Sequence, residues 1–186
     1  MLPPKPPVET GCAVTTDAPG QYRTILADPP WDIPQNRGGR GVDRYYPLMQ
    51  LDRIAGLPVT QFAANDAHLW LWTTNASMPD ALELLRAWDF TFRSVLTWIK
   101  PRFGMGQYLR TQTEHVLLGT RGKAPMQFRA QGSWFYAPLQ EHSHKPEEQY
   151  AIIERCSPGP YLELFARRPR PGWHVWGNEV DCDVSL

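Results

Sequence analysis

The stretch that decides the fold is Tyr22–Ile33, "YRTILADPPWDI", an apolar run that ends in an acid, two prolines and a tryptophan. Ile25, Leu26 and Ala27 are apolar at consecutive positions, so both faces of the segment need cover, as in a strand of a buried parallel sheet. The strand stops at Asp28, because Pro29 and Pro30 carry no N–H for a ladder. Asp-Pro-Pro is also an ordinary turn that ends strands. In open α/β sheets, however, ligands bind beyond the carboxyl ends of strands, and Asp28–Trp31 would stand there.

Downstream, strand and helix patterns alternate. "AHLWLWTT" predicts a second strand from Ala67 to about Thr73. "NASMPDALELLRAWDF" predicts a helix with Ser77 at the N-cap, Pro79 in the first turn, and Leu82, Leu85 and Trp88 at helical spacing. A shorter helix around "LMQLDRIAGL" precedes that strand. "FTFRSVLTWIK" and "TEHVLLGTRG" predict two more strands, joined by the Gly-containing "PRFGMGQYLR". "SHKPEEQYAIIERCSPG" predicts a helix with Pro146 in its first turn and a Pro-Gly stop. "YLELFARRP" predicts a fifth strand, followed by a Pro-rich turn and "WHVWGNEV". The pattern argues for an α/β domain with a mainly parallel sheet flanked by helices.

Upstream, residues 1–19 are rich in Pro, Thr and Gly without periodicity and are expected to be a flexible leader to a domain over 20–186. A chain of 186 residues suits one domain with a sizeable core. No run approaches the ~20 apolar residues of a membrane span, and the opening lacks a secretory signal, so a soluble cytoplasmic protein is expected. Cys12, Cys156 and Cys182 are scattered without metal-knuckle spacing. His142 and His144 flank Ser143 with no further ligands nearby, so no metal is expected. Nineteen basic and nineteen acidic side chains cancel, which leaves any nucleic acid to be gripped by local patches.

From Pro29 to about Pro47 the sequence holds Gly38, Gly39 and Gly41 among Arg37, Arg40 and Arg44, a long basic loop beside the strand end. These arginines are candidate phosphate contacts. Eight tryptophans are many for this size; Trp70, Trp72 and Trp98 lie in strands and suit the core, while Trp173 and Trp176 are left open.

An acid, proline carbonyls and an indole together suit the exocyclic amine of a nucleobase. The lone pair of that nitrogen is delocalised into the ring and weakly nucleophilic. A carboxylate can accept one of its N–H groups and a proline carbonyl, rigid and free of a competing donor, the other. Trp31 could stack on the base.

"ADPPWDI" resembles the catalytic motif of the MT-A family of adenine N(6)-methyltransferases. "LWLWTT", "VLTWIK", "TEHVLLGTRG", "SHKPEEQYAIIERCSPG", "LELFARR" and "WGNEV" resemble further blocks of that family in its order, from about Tyr22 to Val180. The resemblance implies a Rossmann-like methyltransferase fold in permuted motif order, S-adenosylmethionine as cofactor, and transfer to adenine in nucleic acid, with DNA favoured over RNA. It implies that Asp28, Pro29, Pro30 and Trp31 form the catalytic turn. Cofactor contacts would come from Asp28, Lys145, Phe165, Arg167, Asn178 and Glu179. Lys100 also matches a family position and is taken with the arginines as nucleic-acid-binding.

"ARRPRPGW" departs from the family, putting Arg168, Pro169 and Arg170 where a His-Asn pair assists the cofactor. The acid expected before the catalytic strand has no secure match beyond Asp17. A non-catalytic subunit that binds nucleic acid or a partner methyltransferase is the alternative, and intact "DPPW" argues against it. Cytosine N(4) as acceptor would call for Ser in place of Asp28. Homo- and hetero-oligomers both remain open.

Overall fold

The computed structural model describes residues 21–33, 47–104, 108–140 and 144–186. The expected leader, Asp17, Arg37, Arg40, Arg44 and His142 lie outside the described residues. In chain order the elements are β1 (Tyr22–Ala27), α1 (Leu51–Ala55), α2 (Val59–Phe62), β2 (Ala63–Thr73), α3 (Met78–Ala87) and β3 (Thr91–Ile99). There follow β4 (Thr113–Arg121), β5 (Trp134–Tyr136), α4 (Glu148–Cys156), β6 (Tyr161–Leu164) and β7 (Trp173–Trp176).

The strands form one sheet in the order β5-β3-β4-β2-β1-β6-β7. β1 pairs in parallel with β2 and β6, β6 with β7, and β3 with β5; β4 runs antiparallel to both its neighbours. The mainly parallel sheet is thus present with one reversed strand. Parallel strands are joined by crossovers, usually helical. β3 and β4 are instead joined by a hairpin, closed by Lys100 N–H to the Gln112 carbonyl (2.9 Å) and Gly104 N–H to the Thr111 carbonyl (2.6 Å).

Both faces of the sheet are covered, as the unbroken apolar run of β1 requires. Ile25, Ala27, Leu69 and Leu71 face a core shared with Ile54 of α1 and Ala81, Leu84 and Leu85 of α3. Leu26, Trp70 and Trp72 alternate to the opposite face and pack with Tyr150, Ile152, Ile153 and Cys156 of α4. Trp70, Trp72 and Trp98 are core residues as expected, and Trp173 and Trp176 join them. A buried aromatic of this size withdraws roughly 150–250 Å² from water, a stabilisation on the order of 4–6 kcal/mol before entropy is counted.

Several boundaries differ from the sequence reading: β2 begins at Ala63 rather than Ala67, and α4 begins at Glu148, so that Pro146 precedes the helix instead of standing in its first turn. The fifth expected strand, β6, ends at Leu164 rather than running on through Pro169, because Phe165 takes a positive φ of 63°. Few non-glycine residues adopt that conformation, and here it swings the chain out of the ladder. The segment "WHVW" forms β7 beside β6, held by Ala166 N–H to the Trp176 carbonyl at 2.9 Å. Gly177 permits this approach, since a Cβ there would stand 2.0 Å from the Ala166 carbonyl oxygen.

β1 and β6 lie side by side, yet the chain leaves β1 towards β2 and leaves β6 towards β7, on opposite sides. The crevice above such a reversal is where open α/β sheets place ligands.

Candidate active site

Asp28 is the first residue beyond β1, directly above that crevice. Lys145, three residues ahead of α4, brings its Nζ to 3.0 Å from Asp28 Oδ2 and 3.2 Å from Glu114 Oε2. The other oxygen of Glu114, at the start of β4, pairs with Lys100 at the end of β3. Because β4 is reversed, its first residues share the edge where β1, β3 and β6 end, so four elements contribute one row: Asp28, Lys145, Glu114, Lys100.

Each lysine rests on an indole. Lys145 Nζ is 5.1 Å from the Trp72 ring centre, Lys100 Nζ is 4.9 Å from that of Trp98, and the two indoles meet edge-on at 6.1 Å. Trp72 is itself pinned, donating its indole N–H to Gln149 Oε1 of α4 at 2.6 Å.

The row treats its two acids differently. Burial pushes Asp28 above the ordinary carboxylate range, and Lys145 offsets only part of that. Burial would raise Glu114 too, but Lys145 and Lys100 together outweigh it and hold Glu114 below its ordinary value. Glu114 is therefore the fixed anion of the row, and Asp28 the carboxylate whose charge is most easily modulated.

A cleft open to solvent lies above the sheet edge and is lined by Asp28, Trp72, Lys145, Phe165 and Arg167, together with Gln149 and Glu163. Four expected site residues, Asp28, Lys145, Phe165 and Arg167, are thus brought together by β1, the segment before α4, and the chain beyond β6. The Phe165 ring stands edge-on to Trp176 at 5.3 Å. Asn178 and Glu179 line an adjoining cleft with Pro169 and Asp181, and Glu179 reaches Arg167 at 4.0 Å.

Other expected residues stand differently from the sequence reading. Trp31 is only 6% exposed and donates its indole N–H to the Trp72 carbonyl at 3.1 Å, so in this conformation its ring anchors the turn and offers little face to a base. The Pro29 carbonyl accepts the Trp31 N–H (2.9 Å) and the Pro30 carbonyl the Met49 N–H (2.8 Å), leaving each oxygen one lone pair. Lys100 is committed to Glu114 within the row, with only 19% of its side chain exposed, rather than standing on an open basic face. The arginines that depart from the family pattern clamp α4. Arg168 and Arg170 reach the two oxygens of Glu147 at 2.9 and 2.8 Å, and Arg170 covers the Tyr150 ring at 3.9 Å.

Sequence reasoning missed Glu114, Gln149, Tyr150 and Glu163. Glu163 sits inside β6, where Tyr150 Oη donates towards both its carboxylate oxygens at 3.0 and 2.9 Å. Burial, opposed by that hydrogen bond and aided by the charge of Asp28, lifts Glu163 to about 7. The available signal was an acid between apolar neighbours in "YLELF", which burial makes costly unless partnered. Among the described residues no group of three or more His, Cys, Asp and Glu is placed to hold a metal, and no helix is long and apolar enough to cross a membrane.

The family model described as MT-A70 matches residues 22–179. The chain belongs to the MT-A70 family. The Type II methyltransferase M.MunI of a Mycoplasma species is 31% identical over 185 residues, covering 86% of this chain and 78% of that protein. The human N(6)-adenosine-methyltransferase catalytic subunit METTL3 is 34% identical over 178 residues, covering 87% of this chain and 29% of that protein. The Drosophila melanogaster N(6)-adenosine-methyltransferase MT-A70-like protein is 33% identical over 176 residues, with 87% and 27% covered. The chain thus spans most of the Mycoplasma relative and under a third of the animal ones. The MT-A70 match begins at the first residue of β1 and ends at Glu179, so it contains every strand and helix described and all of the lining of the two clefts except Val180 and Asp181.

Proposed function

We propose that this chain, through a methyltransferase domain over residues 20–186, transfers a methyl group from S-adenosylmethionine to the N(6) amino group of adenine in nucleic acid, DNA more readily than RNA. The observation that carries this reading is Asp28 at the end of β1, above the β1–β6 crevice and 3.0 Å from Lys145. DNA is favoured because the chain is compact and spans most of the Mycoplasma Type II methyltransferase.

The donor set fits the cofactor. Lys145 and Arg167 offer cations to its carboxylate, Phe165 a ring to its adenine, and Asn178 with Glu179 an amide and an acid to its ribose hydroxyls. When bound, S-adenosylmethionine supplies a methyl group made electrophilic by a sulfonium. Everything else falls to the chain. Asp28 accepts one N–H of the amine, and the free lone pair of a proline carbonyl in the turn accepts the other, which fixes the direction of the nitrogen lone pair. Such alignment can contribute roughly 7–11 kcal/mol of the barrier. The carboxylate of Asp28 also offsets the positive charge that develops on nitrogen, and is poised by its raised proton affinity to take the proton released there. Trp31 holds the turn in place through Trp72.

The test is methyl transfer from labelled S-adenosylmethionine to single-stranded DNA, duplex DNA and RNA, with nucleoside analysis and Asp28→Ala as control. N(6)-methyladenine lost in the variant supports the reading. Cofactor binding without transfer to any polymer, and without dependence on Asp28, would instead favour a non-catalytic subunit.

A further inference from the structure

The chain is neutral overall, but its charge is not evenly spread. Residues 91–140, which build β3, β4 and β5, hold seven of the nineteen basic residues and one of the nineteen acidic ones. That one acid is Glu114, committed between Lys100 and Lys145. Arg93, Arg102, Arg110, Lys123 and Arg129 are all exposed.

The same end of the sheet exposes aromatic rings. β5 is the edge strand, and its alternation sends Phe135 into the core while Trp134 and Tyr136 stand out on the opposite face, 59% and 58% exposed. By the rise of a strand their Cα atoms are about 7 Å apart. Across the ladder Trp134 lies opposite Thr97 and Tyr136 opposite Ile99, and on β4 these continue to His115 and Thr113. Residues directly opposite share a face, and all four of these neighbours are only partly buried, so the face is left open to solvent. Beyond β3, Phe103 and Tyr108 are exposed beside Arg102 and Arg110. The rings and the site share one end of the strands on opposite faces of the sheet: Tyr136 pairs with Ile99, and the next residue, Lys100, turns to the other face over Trp98, where it begins the row that ends at Asp28.

We infer that this β3–β5 face binds the substrate polymer as a single strand, with unpaired bases stacked on Trp134 and Tyr136 and phosphates met by Arg102 and Arg110. The inference rests on the reading of the chain as a nucleic-acid methyltransferase and adds how the polymer is held. Rings on an open sheet face, in a basic surrounding, are the means by which proteins hold unpaired nucleotides without reading sequence. A duplex hides its base faces and cannot use them. The charge balance selects the occupant, since a polyanion complements a segment in which nearly every charge is positive.

The test is fluorescence anisotropy of the full chain with a labelled adenine-containing oligonucleotide, as a single strand and as a duplex, at fixed salt. Wild type should bind the single strand more tightly. Trp134→Ala/Tyr136→Ala should weaken single-strand binding at least about 30-fold and raise the KM for oligonucleotide, with cofactor binding by calorimetry unchanged. Trp134→Phe/Tyr136→Phe, which keeps both rings, should restore most of the affinity. A change under about two-fold in the alanine variant, or preference for the duplex, overturns the inference. So does a dimer that the alanine variant splits while oligonucleotide affinity holds, since the face then joins two copies of the chain. If wild type transfers no methyl group, the functional reading fails separately, and the anisotropy still judges the surface.

Discussion

The row across the strand ends and the β5 edge use the same residue types in opposite ways. Across the strand ends from β3 to β1, lysines, acids and indoles are drawn into a closed arrangement in which Lys145 and Lys100 each meet a carboxylate and an aromatic face. Along β5, indole and phenol rings stand in solvent near exposed arginines. The first arrangement is fixed before any ligand arrives, as chemistry that depends on alignment requires. The second is available for contacts that tolerate many sequences. Variants at Asp28 should therefore lose activity and those at Glu114 stability, whereas β5-edge variants should lose affinity alone.

The largest effect is expected at Asp28. Asp28→Ala removes the acceptor that orients the amine, and kcat should fall on the order of 10²- to 10³-fold, as when a single preorganised hydrogen-bonding group is removed from an active site. The Tm should stay near wild type or rise, because the carboxylate is held against the cost of its own burial. Steady-state kinetics with a thermal melt on the same sample checks both halves. A large fall in Tm would mean that Asp28 holds the turn rather than the substrate.

Glu114→Gln comes next and tests whether the row is one unit. It leaves Lys100 and Lys145 competing for Asp28 in a partly buried place, and should destabilise the fold by roughly 1–3 kcal/mol. Adding Lys100→Gln, which removes the cation left without its carboxylate, should recover part of that loss. Denaturant melts of the two single variants and the double form the cycle. Strict additivity would mean that Lys100 and Glu114 do not interact.

The two regions also differ in how visible they were in sequence. Asp28–Trp31 and Lys145 stand in contiguous motifs, so local pattern reaches them. Glu114 was invisible because its importance lies in partners: Lys100 is 14 residues away, and Lys145 comes from before another element. Pairing across elements leaves no periodicity to detect. β4 showed its apolar run but not its direction, which is set by the hairpin closed at Lys100 and Gln112. β5 has three residues, below the length at which alternation can be recognised. Trp31 was legible as part of the motif, but its burial depends on the Trp72 carbonyl, contributed by another strand. Arg168 and Arg170 were visible as departures; only α4 lying alongside explains them, through Glu147.

Glu163 gives a smaller effect, read in pH. Its ordinary value is 4.5 and in the fold it is lifted to about 7. Between these values the folded chain keeps a proton that the unfolded chain has lost, so Glu163 adds stability below about pH 4.5 that is given up as pH rises through about 7. Glu163→Gln keeps the shape without the titration and should flatten the Tm profile in that window, the gap between the two proteins being widest above pH 7. Equal slopes would show that Tyr150 already stabilises the ionised form in full.

The smallest expected effect lies outside both regions, where α3 meets the sheet. Trp88 is 1% exposed, and its indole N–H makes no hydrogen bond among the described residues. An unmet buried donor costs about 1–3 kcal/mol, while shortening the ring to phenyl loses packing of similar size. Trp88→Phe should therefore change stability by less than about 1 kcal/mol in either direction, and cofactor and oligonucleotide binding not at all. A loss of several kcal/mol in a denaturant melt would show that the core on the α3 face depends on the full indole. The division between a closed chemical row and an open binding edge would then rest on this packing as well.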